Sequence, residues 1–291
     1  TLKGLNRMTQ QVDDPQAHGL TRVGGRPPFN KYIRDVAGRK DFIVSLARYR
    51  IEAENQRQRL GMFWVVLKPL LNALVFGIVF GILMKSRQST PDFIEFLLIG
   101  VFMFEFFSSS MGAGAKSITG NSALVQSLSF PRMALPMSVI TQKFMQLVPT
   151  LLLLIVILVV AGHRPTWNWV LMIPVLAFYY LFCTGLAFFT ARMTVHVRDL
   201  TNLLPFITRF FFYTTGIFFA LDVRFEGHPK FLAIMEFQPV YAFLSLSREL
   251  LLDSDPLYDV RLQFWPIIAC WSFGLLIFGA IYFWAAEEQY G

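Results

Sequence analysis

The sequence predicts an all-α integral membrane protein with six membrane-spanning helices. Of its 291 residues, 55% are apolar and 16% are aromatic, and the mean hydropathy is +0.50, well above ordinary soluble usage. The apolar residues gather in six stretches, each long enough to cross a hydrocarbon layer of about 30 Å as a helix. These stretches are 63–84, 93–112, 134–161, 167–192, 203–221 and 264–284.

The region before the first stretch is polar and basic, so no signal peptide is expected among the six stretches. Residues 1–37 contain several prolines and glycines without a sustained apolar period, which predicts a flexible arm. Residues 38–60 predict a basic amphipathic helix on the membrane surface, with a solvated charged helix as the alternative. The apolar residues that recur there at helical spacing are Phe42, Leu46, Tyr49 and Ala53.

The connection between the second and third stretches is polar and is interrupted by proline. Residues 116–136 read KSITGNSALVQSLSFPRMALP, and residues 123–128 have the composition of a short helix. Pro131 disfavours the α region for Phe130, so the chain is expected to turn there. The next apolar helix is expected to begin near Ala134.

The positive charges predict that both termini lie in the cytoplasm. Of the 26 Lys and Arg residues, 19 fall before or at the start of the first stretch or around the second and fourth connections, and seven fall on the other side. Cytoplasmic loops of membrane proteins carry an excess of these residues. The net charge of +7 is explained by contact with anionic lipid, so no nucleic-acid partner is expected.

Two short helix-like runs, 231–237 and 239–252, lie within the connection 221–260. Both are rich in Phe, Leu and Tyr, but each is too short to cross a membrane. Such runs are typical of re-entrant or interfacial helices, and irregular backbone at membrane depth needs a cover of protein or water. They are therefore expected to border a pathway on the outer side.

The sequence contains no motif for catalysis. It has no phosphate-binding loop of the G-x-x-x-x-G-K-[ST] type, no His/Cys cluster with metal spacing and no nucleophile elbow. No catalytic, cofactor or metal site is expected, so uphill transport would take its energy from another chain or an ion gradient. Cys183 and Cys270 lie within apolar stretches and are expected to be packing residues.

Three ionisable side chains, Glu105, Lys143 and Arg209, are expected about 10 to 14 Å inside the membrane, counting 1.5 Å per residue. An unpaired charge at that depth costs about 2.5 kcal/mol or more. One interpretation is a Glu105–Lys143 pair, with Arg209 reaching towards the surface. The other is a cationic ring at the inner mouth of a pathway, which would attract a phosphate or pyrophosphate.

Aromatic residues are concentrated in the first and fifth stretches. Contact with lipid accounts for most of them, but aromatic faces also offer a sliding sugar an apolar platform. The candidate aromatic residues of a sugar channel are Trp64, Phe76, Phe80, Phe206, Phe210 and Tyr213.

The order and spacing of several motifs resemble the membrane subunit of ABC-2 type polysaccharide exporters. Arg48-Tyr49-Arg50 and the following Leu60-Gly61-x-x-Trp64-x-x-x-x-Pro69 are similar to the entry of that subunit. The segment from Asn121 through Phe130-Pro131-Arg132 to Pro136, and Val197-Arg198-Asp199-Leu200, are similar to its two cytoplasmic loops. The match runs from about Asp41 to the end of the chain. It departs from the family at Gln238-Pro239, where relatives commonly have Asn-Pro, and at Met62 and Phe63.

The resemblance implies a half-transporter: a homodimer of six-span subunits in the bacterial inner membrane, with two separate ATPase subunits that bind ATP and Mg. It implies a coupling helix within 116–132, an interface or gate helix over 38–60, and a transmembrane domain over 61–291. The implied coupling residues are Asn121, Leu124, Phe130, Pro131, Arg132, Arg198 and Asp199. The candidate gate and anion contacts are Arg48, Arg50, Arg57, Arg59, Lys143, Arg209 and Glu105.

The implied substrate is a long glycan on a polyprenyl pyrophosphate or another lipid carrier, such as O-antigen, teichoic acid, capsule or cell-wall galactan. One alternative is an ABC-2 exporter of a small lipid or drug. A membrane-embedded glycosyl or acyl transferase is a second, although the acidic residues that it would need lie at scattered depths. A channel or scaffold without ATP coupling is a third.

Overall fold

The computed structural model describes residues 27–56, 59–76, 78–79, 92–127, 130–218, 229–252 and 263–287, and all regular secondary structure in these ranges is helical. The predicted all-α class is confirmed for this part of the chain. The α-helices are α1 (Phe29–Gly38), α2 (Lys40–Gln56), α3 (Trp64–Phe76), α4 (Phe93–Ala115), α5 (Ser122–Ser127), α6 (Ala134–Ala161), α7 (Met172–His196), α8 (Leu200–Thr214), α9 (Pro229–Phe237), α10 (Pro239–Leu252) and α11 (Phe264–Ala285). Short 3₁₀ turns precede three of them, at Gly61–Phe63, Thr119–Asn121 and Trp167–Leu171.

Within the described ranges, four helices are long and apolar enough to cross a membrane. They are α4, α6, α7 together with its preceding turn (Trp167–His196), and α11. Helix α2 and the stretch Gly61–Phe76 meet the same criterion only as a pair bent by 102°. Four of the six predicted spans are thus confirmed as helices of sufficient length. The predicted first span, 63–84, runs beyond the described residues, and α3 covers 13 residues of it.

Helix α8 differs from the predicted fifth span, 203–221. It begins at Leu200 and ends at Thr214, and Gly216 takes a left-handed φ of 66° just beyond its end. A residue in this conformation terminates an α-helix. The prediction of one continuous helix over 203–221 is therefore wrong, and residues 219–221 lie outside the described ranges.

Helix α1 corrects the prediction of a flexible arm over 1–37. Residues 29–37 are helical, and Tyr32 and Val36, one helical turn apart, are both buried. The signal for this helix is short but present in the sequence, because Phe29, Tyr32, Ile33 and Val36 recur at helical spacing. The arm before Pro27 lies outside the described residues.

Helix α2 forms within the predicted amphipathic segment 38–60, but it buries a different face. Tyr49 and Ala53 are exposed, whereas Phe42 and Leu46 are half-buried. The buried row follows i, i+4 spacing and consists of Ile43, Ala47, Ile51 and Asn55. Helix α6 packs along α2 and contributes to covering this row. Helical spacing alone does not determine which of two adjacent rows of α2 side chains packs against α6.

Helix α4 is the centre of the bundle. It packs against α3, α6, α7, α8 and α10, and its side chains are buried around most of its circumference. Aromatic rings join it to its neighbours: Phe106 lies 5.3 Å from Tyr179 of α7, and Tyr179 lies 4.4 Å from Phe243 of α10, measured between ring centroids. The Tyr179 hydroxyl also donates to the Met103 carbonyl at 3.0 Å. The main core therefore forms around this helix.

Helices α7 and α11 approach each other closely at a pair of glycines. A Cβ atom at Gly279 would collide with the carbonyl oxygen of Gly185, and one at Gly185 would collide with the backbone of Leu275. Small residues at a helix crossing allow the two backbones to touch, which is a common basis of helix association in membranes.

The two predicted short runs are confirmed as the helices α9 and α10, each too short to span a membrane. Trp271 of α11 donates its indole N–H to the Phe237 carbonyl at the end of α9, at 2.9 Å. The rest of the connection 221–260 lies outside the described residues.

Candidate functional site

The predicted coupling segment, 116–132, lies between α4 and α6. Within it, Leu124 is half-buried and Val125 is buried against a second core, separate from the main one around α4. This second core collects side chains from α1, α2, the coupling segment, the start of α6 and the ends of α7 and α11. Its buried members are Tyr32, Val36, Ile43, Ile118, Val125, Met133, Ala134, Leu135, Phe188, Ala191, Ala280, Phe283 and Ala286.

A polar contact joins α2 to the beginning of the coupling segment. The Nη2 atom of Arg50 donates to the side-chain oxygen of Asn121 at 3.3 Å, and Asn121 donates to the Ser117 carbonyl at 2.8 Å. Arg50 was predicted as an anion contact and Asn121 as a coupling residue. The structure brings the two together.

An aromatic contact joins α2 to the end of the same segment. The rings of Phe42 and Phe130 lie 5.5 Å apart, at an angle of 54°. Pro131 follows, half-buried, and α6 begins at Ala134 as the proline pattern predicted. Helix α2 therefore contacts the coupling segment on both sides of α5.

Hydrogen bonds connect Arg132 to Glu287, which follows α11. The Arg132 guanidinium donates to the Glu287 carbonyl, and the Arg132 backbone N–H donates to Glu287 Oε1 at 3.1 Å. The Tyr32 hydroxyl donates to Glu287 Oε2 at 2.7 Å. Burial raises the pKa of the Glu287 carboxyl above its ordinary value, although these donors act in the opposite direction. No motif in the sequence marks Tyr32 and Glu287 as partners, because they are 255 positions apart.

Arg198 and Asp199 lie in the turn between α7 and α8. Both are exposed, and within the described residues no hydrogen bond joins them to the coupling segment. Among the residues that the structure describes, the two predicted cytoplasmic loops are therefore not tied to each other by hydrogen bonds.

A cavity of about 250 Å³ lies between α2, α3, α4 and α6. Four charged side chains line it, two acidic and two basic, and we call it the charged cavity. Its charged lining residues are Glu54, Lys68, Glu105 and Lys143. Trp64, Asn72 and Gln146 are among the other lining residues.

Lys143 pairs with Glu54 of α2 across the charged cavity, at 3.5 Å between Nζ and Oε1. Gln142 and Gln146 donate to the two carboxylate oxygens of Glu54 at 2.8 and 2.9 Å. Burial acts to raise the pKa of Glu54, but Lys143 and the glutamine amides outweigh it, so this pKa lies below its ordinary value. The expected Glu105–Lys143 pair is therefore replaced by Glu54–Lys143, and Glu105 is an exposed residue of the same cavity.

The remaining predicted cations that the structure describes do not form a ring within one chain. Arg48 and Arg209 are exposed, and Arg209 does not line the charged cavity. Arg59 is exposed and lines a neighbouring cavity with Lys68. Arg57 lies outside the described residues.

Three aromatic residues of α8 form an outward face, whereas Phe211 and Phe212 pack against the main core. Phe206, Phe210 and Tyr213 are 67%, 65% and 59% exposed. Trp64 lines both cavities, whereas Phe76 is half-buried and packs against the main core. Phe80 lies outside the described residues.

Arg248 of α10 is a buried cation that is not among the predicted site residues. Its guanidinium donates to the carbonyls of Phe96, Gly216 and Ile217 at 3.2, 3.1 and 3.2 Å, and it lies 3.5 Å over the Phe96 ring. Gly100 leaves the space that it fills. The side chain thus joins α10 to α4 and to the chain after α8. Its position in an apolar run expected at membrane depth is the sequence signal that could have marked Arg248 as a candidate.

Within the described residues, no group of three or more His, Cys, Asp or Glu side chains is placed to hold a metal ion. Cys183 and Cys270 are free thiols; Cys183 packs in the main core, while Cys270 is exposed.

Residues 43–252 match the family model of the ABC-2 type transporter. The chain is similar to the O-antigen export system permease protein RfbA of Myxococcus xanthus, 29% identical over 192 residues that cover 66% of this chain and 73% of the relative. It is also similar to two proteins of the same name from Klebsiella pneumoniae. One is 26% identical over 249 residues, covering 85% of this chain and 94% of the relative, and the other is 26% identical over 220 residues, covering 75% and 83%.

Proposed function

The chain belongs to the ABC-2 type transporter family as a membrane subunit, and we propose that it exports a lipid-linked polysaccharide of the cell envelope. The glycan, carried on a polyprenyl pyrophosphate, would pass from the cytoplasmic to the outer side of the bacterial inner membrane. Three relatives named as O-antigen export permeases support a polysaccharide substrate.

The proposed assembly is a homodimer of six-span subunits with two ATPase subunits that bind ATP and Mg. Both termini would face the cytoplasm, as the distribution of Lys and Arg predicts. Helices α9 and α10 would be re-entrant helices at the outer gate, which their length supports.

The observation that carries the proposed coupling to the ATPase is the contact of α2 with both sides of α5. Asn121 and Phe130, at the two sides, contact Arg50 and Phe42. If ATP-driven closure of the partner subunits pushes on α5, these contacts pass the displacement to α2, the proposed gate helix. Arg198 and Asp199 would form a second contact with the ATPase through the turn before α8.

The proposed channel lies at the dimer interface, between the first and fifth spans. Both α3 and α8 present exposed apolar faces in the single chain, as a surface that meets lipid or a second subunit requires. Sugars would slide along the aromatic face of α8 and the aromatic residues of the first span, because ring faces bind sugars without requiring one orientation.

The proposed anion contacts are Lys143 and Arg209, together with arginines of the gate helix. The charged cavity supports Lys143 in this role, since its partner Glu54 comes from α2 itself. An arriving pyrophosphate would compete with Glu54 for Lys143, and movement of α2 would therefore accompany binding. Glu105 would keep the cavity from holding anions too tightly.

Substitution of Phe130 tests the coupling role. In membranes that contain the partner ATPase, Phe130→Ala is expected to keep membrane insertion but to lose export for each ATP hydrolysed. Phe273→Ala, which alters an outward-facing phenylalanine of α11, serves as the control. Unchanged export and unchanged ATPase stimulation in Phe130→Ala would contradict the assignment.

Substitution of Arg209 tests the substrate. Arg209→Gln is expected to weaken ATP hydrolysis that is stimulated by lipid-linked glycan, whereas exposed Arg164, changed to Gln, is not. Equal stimulation in Arg209→Gln and the parent would assign Arg209 to structure alone. Stimulation by a small lipid or drug but not by lipid-linked glycan would favour the alternative exporter.

A further inference from the structure

Three parts of the chain that are distant in sequence meet at Glu287. Tyr32 comes from α1, Arg132 and Met133 come from the residues just before α6, and Glu287 follows α11. Tyr32 and Glu287 are separated by 255 positions. Both are well buried, with exposures of 2% and 9%, and Met133 between them is 1% exposed.

Hydrogen bonds link these four residues into one network. The Met133 N–H donates to the Tyr32 hydroxyl oxygen at 3.1 Å, and that hydroxyl donates to Glu287 Oε2 at 2.7 Å. The Arg132 N–H donates to Glu287 Oε1 at 3.1 Å, and the Arg132 guanidinium donates back to the Glu287 carbonyl. Both carboxylate oxygens of Glu287 accept a hydrogen bond, and the Tyr32 hydroxyl both accepts one and donates one.

The set fixes the residues that lead into α6. Met133 is the N-cap residue and supplies no side-chain cap. The Ala134 and Leu135 amides bond locally to the carbonyls of Pro131 and Arg132, whereas the Met133 and Arg132 amides, just before the helix, bond to Tyr32 and Glu287. A carboxylate near a helix N-terminus is also favoured by the helix dipole. The entry of the chain into α6 is therefore held by α1 and by the residue that follows α11.

Helix α1 is fixed to the end of α11 by further contacts. The Trp284 indole N–H donates to the Pro27 carbonyl at 3.0 Å, and the rings of Phe29 and Trp284 meet edge to face at 5.4 Å. Because α1 and the end of α11 are joined in this way, the Tyr32 hydroxyl and the Glu287 carboxylate are held together. Both accept hydrogen bonds from the end of the coupling segment and the residue after it.

We propose that Tyr32 and Glu287 are positioning residues for the coupling segment. They hold Arg132 and Met133 between α1 and α11, so that displacement of α5 moves α1 and the ends of α6 and α11 as one unit. This inference rests on the proposed function only in that α5 is taken to receive the push of the ATPase. Without the two residues, α5 would move while α6 stays behind.

Amide hydrogen exchange of the membrane protein without its partner tests the positioning itself. In Tyr32→Phe, the Met133 amide loses its acceptor and is expected to exchange about tenfold faster. Tyr49→Phe removes a hydroxyl from a side chain that is 65% exposed and is expected to leave this amide unchanged. Glu287→Ala provides a second variant, expected to speed exchange of the Arg132 amide. Parent-like exchange in both variants would overturn the inference.

The number of glycans exported for each ATP hydrolysed tests the consequence. Tyr32→Phe and Glu287→Gln are each expected to lower this ratio about threefold to tenfold while the ATPase remains bound, and the exposed Glu52→Gln is not. Because both act through one network, the double variant is expected to fall no further than either single variant. Ratios equal to the parent's would overturn the inference. If the parent neither captures an ATPase nor exports glycan, the proposed function fails, and the exchange experiment still decides on the two positioning residues.

Discussion

The guanidinium of Arg50 donates a hydrogen bond of 3.3 Å to the side-chain oxygen of Asn121. This contact joins the middle of α2 to the start of the coupling segment. Asn121 is itself held by its bond to the Ser117 carbonyl, so it offers Arg50 an acceptor of fixed orientation. The contact therefore makes the position of α2 sensitive to the position of α5.

A double-mutant cycle on Arg50 and Asn121 measures this link. Arg50→Gln and Asn121→Ala are expected to show an interaction energy of about 0.5 to 1.5 kcal/mol in thermal unfolding, the usual net value of one hydrogen bond. Asn121→Ala combined with Lys40→Gln, which alters an exposed cation of the same helix, is expected to be additive. Additivity in the first pair would show that the contact carries no energy.

Removal of the Arg248 guanidinium is expected to destabilise the protein by about 2 to 4 kcal/mol, because it leaves buried carbonyls without donors. Arg248→Lys is expected to recover only part of this loss, since a compact ammonium does not reproduce the planar fork that serves three acceptors. Thermal unfolding of the purified protein measures both changes. Arg164→Gln on the surface is the control, and an equal melting temperature for Arg248→Gln and Arg164→Gln would contradict this prediction.

Two glycines of α11 are expected to respond differently to the same substitution. Gly279→Ala places a methyl group against the Gly185 carbonyl and is expected to cost about 1 to 3 kcal/mol. Gly274→Ala meets no atom within 4 Å and is expected to be neutral or to stabilise the helix by up to about 1 kcal/mol. Matched unfolding curves for the two variants would show that the helices do not touch at Gly279.

The Glu54–Lys143 pair predicts a dependence of stability on pH. Because the pKa of Glu54 is lowered in the folded protein, the pair contributes stability above the ordinary value of 4.5, and this contribution is lost as the pH falls through the folded pKa. The difference in stability between the parent and Glu54→Gln is therefore expected to shrink on acidification. Glu52→Gln, on the exposed side of α2, is expected to show no such trend. A difference that grows as the pH falls would contradict the sign.

Spans and breaks in the chain could be predicted from local sequence. The length of the apolar stretches predicted α4, α6 and α11, and Pro131 placed the start of α6 at Ala134. The apolar runs at 231–237 and 239–252 predicted α9 and α10. These features depend on residues close together in the chain, which is why composition and proline geometry were sufficient.

Pairing between distant side chains could not be predicted in this way. Lys143 has two acidic neighbours in the charged cavity, and only the packing of α2 on α6 decides that it pairs with Glu54. The bond between Tyr32 and Glu287 has no periodic signal because it spans nearly the whole chain. The end of α8 at Thr214 similarly depends on the turn at Gly216. Arg248, from another helix, donates to the carbonyls of Gly216 and Ile217 in this turn.

The glycine crossing of α7 and α11 brings the two helix backbones into direct contact, with no side chain between them at Gly185 and Gly279. Whatever rearranges during a transport cycle, a pair of spectroscopic labels placed across this crossing is expected to report one constant separation. The crossing thus offers a reference separation within the molecule, against which a proposed displacement of α2 or α5 can be measured.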